Sequence, residues 1–414
     1  MNLSCAIFGS GLSGQAASSL ARDRGHAVTV FDESGRGNSD TFGAADLAHF
    51  DRFIFSPGFA ASHPWRLLLQ ASGKPVQSEL SFAAEHWQGP IIGVTGTNGK
   101  STLTRLLVEA LRRTGQKTVA AGNIGRPLSE VVMDCDNQKS TCAVCEISSF
   151  QAELAWVLKL DGLLWTNFAE DHLDRYANMT DYYRAKAGLF KCLQPGAVCV
   201  IGPQVKQWAD ELQQPCDHAP VTDAEEQLLQ RLQPESPFSR QPQRENFVLA
   251  AQYCRLANLC EDALVAAAND FVLDSHRLEL VSEQGGVTFW DDSKATNFHA
   301  ALAAMKSLPR PIIWIGGGRP KGGDVDSFAQ KATGLIDAAV LYGEAAPQLE
   351  KAFSKRLEQV QTIRCFEQAV RAAAKLGSTC SSAHVLLSPG FSSFDQFESY
   401  AARGKTFNSI VLSL

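Results

Sequence analysis

Short apolar runs alternate along the chain with longer stretches in which apolar side chains return every three or four positions. Runs at residues 3–8, 28–31 and 53–55, with a helical pattern at 15–24 and a turn at Ser56-Pro57-Gly58, read as βαβ units of a parallel sheet. The pattern restarts after Pro90 with a strand at 91–95, a glycine-rich loop and a helix at 103–114. Strands at 118–121, 142–147 and 162–167 follow, the last stopping just before an acidic cluster. Residues 204–244 are rich in Gln, Pro and Glu, carry little strand signal, and predict a surface helix and connector closing the middle region. Helices at 246–257 and 261–268 come next, and from about His276 strand runs at 279–281, 287–290, 312–315, 338–342 and 385–388 again alternate with helical ones. The reading is an α/β protein of three domains, residues 1–88, 89–273 and 274–414, which suits 414 residues at roughly 100 to 200 per domain.

Composition narrows the class without changing the fold. A hydrophobic content of 45%, a charged content of 20% and 17 prolines describe a globular chain without low-complexity tracts. The net charge of -6 argues against a nucleic-acid binder, which needs clustered Lys and Arg, and favours small substrates. No run approaches the ~18 apolar residues of a membrane span, and the N-terminus has no basic segment of a signal peptide. The expectation is a cytoplasmic protein acting as a monomer. Eleven scattered cysteines, an odd number, point to reduced thiols: Cys5, Cys135, Cys142, Cys145, Cys192, Cys199, Cys216, Cys254, Cys260, Cys365 and Cys380. Cys142 and Cys145 have CxxC spacing, but no second pair completes a zinc set and the run around them is apolar.

Chemistry concentrates where predicted strands end. Gly9, Gly11 and Gly14 match G-x-G-x-x-G between a strand and a helix, and Asp32 ends the next strand about 20 residues on. Alone, this loop fits any dinucleotide or nucleotide diphosphate, NAD included. The loop GTNGKST, residues 96–102, departs from a strict Walker A because Val94 stands where the first glycine would be. Even so, Gly96, Thr97, Asn98, Gly99, Lys100, Ser101 and Thr102 bring amides, one cation and several hydroxyls into one turn, a phosphate-binding composition. A lysine at a helix start opposes the helix dipole, which favours a functional reading. Glu146 ends a buried strand, and Glu170, Asp171, His172 and Asp174 cluster after the following one, hard ligands suited to Mg²⁺. Lys186, 14 residues after His172, reads as a solvated lysine on an amphipathic helix. In the third domain DDSKATN, IGGGRPKGGD and SPGFSSFDQF each follow a predicted strand, and Lys294, Lys321, Ser392 and Ser393 form an anion-friendly rim.

GTNGKST, GNIG at 122–125, EISSFQ, EDHLDRY, DDSKATN and SPGFSSFDQF occur in that order across the whole chain, which resembles the Mur ligase family. The resemblance implies a UDP-binding Rossmann-like domain, a central P-loop-type ATPase domain and a Rossmann-like C-terminal domain for the incoming amino acid. It implies an ATP-dependent ligase that phosphorylates a carboxylate and joins glutamate, the D-enantiomer, to UDP-N-acetylmuramoyl-L-alanine for peptidoglycan precursors, with ATP and Mg²⁺. By resemblance Lys100, Glu146, His172 and Lys186 are catalytic, and Ser101, Glu146, His172 and a carbamoylated Lys186 hold metal. ATP falls to the 96–102 loop with Asn246, Arg277 and Asp292. The UDP substrate falls to Leu12, Ser13, Asp32, Ser56, Pro57, Gly58, Asn123 and His172, and glutamate to Thr296, Lys321, Ser393, Phe394 and Tyr400. The family pattern HNxxN departs here to Glu245-Asn246 with Leu249 at the second Asn, and a pocket Phe is Tyr400. Other readings remain open: a sibling such as an L-glutamate-adding variant or a folylpolyglutamate synthase, an NAD-dependent oxidoreductase built on GSGLSG, or a nucleotide-binding regulator.

Overall fold

The computed structural model describes residues 2–134, 137–155, 157–214 and 223–414, so Cys135 and Cys216 lie outside the described residues. Fifteen strands build three sheets among them. The first holds β1 (Ser4–Phe8), β2 (Ala27–Phe31), β3 (Arg52–Phe55) and β4 (Val76–Ser78) in the order β2-β1-β3-β4, all parallel. The second holds β5 (Ile91–Thr95), β6 (Thr118–Gly122), β7 (Cys142–Glu146), β8 (Leu160–Trp165) and β9 (Leu193–Ile201) in the parallel order β6-β7-β5-β8-β9. The third holds β10 (Glu279–Gln284), β11 (Val287–Asp291), β12 (Ile312–Gly317), β13 (Ala338–Tyr342), β14 (Gln359–Thr362) and β15 (Ala383–Gly390) in the order β10-β11-β15-β12-β13-β14. Only β10 runs antiparallel, so the third sheet is mixed.

The inner strands are continuous apolar runs because helices cover both faces. Every residue of β5, β7 and β13 is buried. Helix Lys100–Arg113 turns Leu103, Leu106, Leu107 and Leu111 into the middle core, where Phe247, Leu249 and Ala250 of helix Gln243–Leu256 meet them. Leu249, the departure noted in the sequence, is a core residue packed in this cluster. The stretch after Gly202 forms helix Pro203–Glu211, helix Asp223–Leu229 and a 3-10 turn Pro237–Ser239, with 215–222 outside the described residues. Three strands had no counterpart in the sequence pattern, β4, β9 and β14, and all three are sheet edges. Cys142 and Cys145 lie three apart on β7 and therefore face opposite sides of the sheet. Burial pushes the Cys142 thiol up to about 12 and raises that of Cys145 too, so the pair is inert. Each described cysteine is a free thiol. No helix among the described residues is long and apolar enough to cross a membrane.

The chain forms two compact units. One contains residues 1–168, 178–239 and 243–271, and with them the first two sheets; the other contains 169–177, 240–242 and 272–414, and with them the third. Within the first unit, helix Glu79–Ala84 meets helix Leu128–Val132, and the Ser129 amide donates to Glu79 Oε1 at 2.7 Å. Glu79 Oε2 has no hydrogen-bond partner among the described residues, and burial raises the Glu79 carboxyl from 4.5 to about 7. The folded state therefore holds this proton more tightly than the unfolded chain does. The stability it contributes is complete below about pH 4.5 and lost as pH rises through about 7. Glu79→Gln should accordingly be more stable than wild type by about 1 to 3 kcal/mol at pH 8 and nearly equal at pH 4.5, as measured by urea unfolding. Equal differences at both pH values would contradict the buried, protonated carboxyl.

Candidate functional site

The glycine loop after β1 folds at the switch point of the first sheet, where β1 leads to one side and β3 to the other. Gly9 has φ +101 and lies so close to Ser56 that an added Cβ would fall 2.8 Å from its Oγ; Gly14 is pressed on the Gly9 carbonyl, 1.8 Å from where its Cβ would be. Gly11 has open space around it. Asp32 accepts from Ser10 N at 2.7 Å, Ser10 Oγ at 2.5 Å and Ser34 N at 2.9 Å, and also from the Ser34 hydroxyl. These bonds hold its carboxyl well below the usual carboxylate range. Asp32 thus organises the loop through its serines. Leu12 and Gly58 are exposed, and Ser13 and Pro57 are half-buried.

The second loop grows from β5, the central strand, with β7 and β8 on either side. Val94 belongs to β5, so the glycine missing from a strict Walker A position is simply strand. Gly96 adopts φ +148 against Thr166, and Gly99 adopts φ +83 against the Asn246 amide, an added Cβ falling 2.5 Å from its oxygen. Lys100 begins helix Lys100–Arg113, and its Nζ donates back to the Gly96 carbonyl at 3.1 Å and the Thr97 carbonyl at 2.8 Å. Lys186 is buried, not solvated: it is 1% exposed, and its Nζ donates to the Gly96 carbonyl at 2.9 Å and Thr95 Oγ1 at 3.3 Å. Two ammonium groups therefore converge on one carbonyl. Asn98 N donates to Asn167 Oδ1, and Thr166 Oγ1 to the Asn98 carbonyl, tying the loop to the end of β8. Ser101 and Thr102 stand in the first turn of the helix.

Glu146 ends β7, 3% exposed. Asn123 Nδ2 donates to its Oε1 at 2.9 Å, while its Oε2 meets no donor among the described residues. A buried carboxylate oxygen left over in this way, together with the Ser101 hydroxyl, fits the oxygen ligands that Mg²⁺ prefers.

The second unit holds the remaining predicted residues. His172 takes a left-handed backbone (φ +56) and donates its amide to Asp171 Oδ1 at 2.9 Å. The acidic cluster does not gather as a metal set. Asp171 accepts from Asn297 Nδ2 at 3.0 Å and pairs with Lys321 at 3.4 Å, and Glu170 accepts from the Asp324 amide at 3.3 Å. Neighbouring positive charge and these bonds keep the Asp171 carboxyl low despite its burial. Lys321 Nζ also reaches Thr296 Oγ1 at 3.4 Å. Glu170, Asp171, Thr296, Asn297, Lys321 and Phe391 are among the residues lining a small cavity open to solvent. Ser393, Phe394 and Tyr400, expected beside Thr296 and Lys321, do not line it: Ser393 is buried, Phe394 is 60% exposed and Tyr400 stacks under the Lys294 ammonium at 5.1 Å. Asp171 and Asn297, which do line it, were readable only as members of EDHLDRY and DDSKATN. Nearby, Asp292 accepts from Ser388 Oγ at 2.7 Å and Leu278 N at 3.1 Å, and burial lifts its carboxyl to about 7. Arg277, beside it in chain order on Leu278, lies 3.7 Å from Asp274.

Residues 94–242 match the family described as Mur ligase middle domain, and residues 276–390 match Mur ligase, glutamate ligase domain. UDP-N-acetylmuramoylalanine--D-glutamate ligase of Gloeobacter violaceus is 32% identical over 380 residues, covering 87% of this chain and 84% of that protein. The protein of the same name from Synechocystis is 31% identical, covering 99% of each chain. Among solved structures, MurF ligase from Thermotoga maritima in complex with ADP superposes with a TM-score of 0.61 at 15% identity over 99% of this chain and 94% of its own. Folylpolyglutamate synthase of Mycobacterium tuberculosis, complexed with ADP and AMPPCP, gives 0.57 at 15% identity over 82% and 93%. At such identities the likeness to solved structures is one of fold.

The first loop yields a paired test. Gly14→Ala should destabilise the protein by at least about 2 kcal/mol, because the new methyl meets a backbone carbonyl. Gly11→Ala should cost less than about 1 kcal/mol in urea unfolding, because nothing stands within reach of its new methyl. Equal losses in the two variants would contradict the close approach of Gly14 to the Gly9 carbonyl.

Proposed function

The chain belongs to the Mur ligase family, and on that premise we propose that it is an ATP-dependent amide ligase joining D-glutamate to UDP-N-acetylmuramoyl-L-alanine in the cytoplasm. The observation that carries the chemistry is the Lys100 ammonium folded back on the Gly96 and Thr97 carbonyls within the 96–102 loop. Such a turn of amides with one cation suits a triphosphate, and the choice of amino acid is supported by the names of relatives covered over most of their length.

The division of labour follows three domains, 1–88 for the UDP substrate, 89–273 for ATP and 274–414 for glutamate. Gly96, Thr97, Asn98, Gly99, Ser101 and Thr102 cradle the phosphates, and Lys100 offsets the charge that develops as the γ-phosphoryl moves to the alanyl carboxylate. Asn246, Arg277 and Asp292 hold the nucleoside, and Asn123 orients the acceptor from the Glu146 side. Ser101, Glu146, His172 and a carbamoylated Lys186 would hold Mg²⁺, which when bound neutralises phosphate charge. The amine of glutamate, its carboxylates held by Thr296, Lys321 and Ser393, attacks the acyl phosphate; phosphate leaves and the amide remains. Phe394 and Tyr400 belong to the same amino-acid side. The reading as an oxidoreductase leaves the 96–102 loop without a purpose. The first sheet, with its Gly9, Gly11, Gly14 loop, weighs against a folate substrate.

Purified protein given UDP-N-acetylmuramoyl-L-alanine, ATP and Mg²⁺ should release phosphate only when D-glutamate is added. Equal release with L-glutamate or another amino acid would overturn the substrate assignment. Lys100→Ala should lower turnover by about 10³-fold or more at unchanged thermal stability. A smaller loss would take Lys100 out of the phosphoryl transfer.

A further inference from the structure

One buried cation remains outside this account. Arg403, on helix Tyr400–Leu412, is 0% exposed. Its Nε donates to Ser293 Oγ at 2.9 Å and its Nη2 to the Ser293 carbonyl at 2.7 Å. Its Nη1 donates to the Phe391 carbonyl at 3.1 Å and to the Tyr342 hydroxyl at 3.2 Å, and lies 3.3 Å from where a Cβ on Gly318 would stand. Those hydrogen bonds end on two carbonyls and two hydroxyls. Burying a guanidinium against neutral oxygens is costly compared with packing a Met of similar length, so packing alone does not account for it.

The partners explain the choice. Ser293 belongs to the loop after β11 that continues through Lys294 to Thr296. Phe391 begins the loop after β15, and Gly318 the loop after β12 that leads to Lys321. Those three loops supply Thr296, Lys321, Gly390 and Phe391 to one cavity. Only a planar fork with donors on both edges can bond the loops after β11 and β15 and the Tyr342 hydroxyl at the end of β13 at once while packing against Gly318 at the start of the third loop; an ammonium on the same stem cannot. The helix itself is fixed, because Gly404 packs against His276 so closely that a Cβ would fall 2.2 Å from its Nδ1. His276 in turn bonds Asp291 at 2.6 Å, and Asp291 accepts the Ser293 amide at 2.9 Å. The donor atoms of His276, Glu279 and Asp291 cluster within 4.8 Å, and these bonds, with the His276 amide on Glu279 Oε2, account for them as a brace.

We infer that Arg403 is a positioning residue for the incoming amino acid: it sets the spacing of the three loops that frame the cavity without touching the substrate. The inference rests on the reading of that cavity as the glutamate site. Arg403→Lys keeps the charge and loses the fork. It should raise the KM for D-glutamate about tenfold or more. The KM values for ATP and the UDP substrate should stay within about twofold, as should hydroxamate formed from the acyl phosphate when hydroxylamine replaces glutamate. Ser293→Ala, which removes one of the four contacts, should shift the glutamate KM in the same direction by less, and it serves where Arg403→Lys fails to fold. Parallel loss of every parameter together with thermal stability would make Arg403 a purely structural residue and overturn the inference, as would an unchanged glutamate KM in Arg403→Lys. Failure of the underlying reading is separable, because it appears in the wild type as phosphate release that ignores D-glutamate. If the wild type answers to another amino acid, the same KM comparison with that amino acid decides the role of Arg403; if it answers to none, the inference falls with the reading.

Discussion

A single carbonyl oxygen organises the first unit. Gly96 accepts from both Lys100 and Lys186, and its φ of +148, with Thr166 filling the space a side chain would need, restricts the position to glycine. Two like charges held near one acceptor repel each other most strongly in a low-dielectric interior. The surrounding structure therefore has to fix them, and the parallel sheet does: β5 delivers the loop, β7 sets Glu146 at its own end, and β8 supplies Thr166 and Asn167 to pin Asn98. The loop is thereby held by bonds from its own sheet.

The strands that support this arrangement were readable from the chain because buried parallel strands are unbroken apolar runs, as at residues 91–95 and 338–342. The edges were not. In β14, Gln359–Thr362, polar side chains face solvent; β9 includes Pro195 and Gly196, which read as a turn; β4 spans three residues. The glycine loop between β5 and helix Lys100–Arg113 was equally legible, since its turn residues are local. Lys186 was legible only by resemblance, because helical periodicity says nothing about which face of helix Met179–Ala187 meets the loop. Arg403 gave no local signal at all. Its partners Ser293, Tyr342 and Phe391 are separated from it by 110, 61 and 12 positions, and tertiary structure alone brings them together.

Departures from the family pattern also have physical reasons. Leu249 occupies the core between two helices, where an amide would need partners that the apolar surroundings lack, while Asn246 keeps its place against Gly99 and bonds Gln243 at 2.7 Å. Tyr400 uses its ring beneath Lys294 and its carbonyl to accept from Ser293, so its role in the second unit is carried by atoms other than the added hydroxyl.

The acidic segment 169–177 belongs to the same compact unit as the third sheet, although about a hundred residues of the first unit follow it in the chain. Asp171 and Glu170 come from that segment, and they pair with Lys321 and Asp324. A graft of the C-terminal sheet alone onto another ligase would leave Lys321 facing a foreign acid or none. This cavity is therefore inherited as two separated pieces of sequence, and recombination that cuts once near residue 272 would move it without one of its walls.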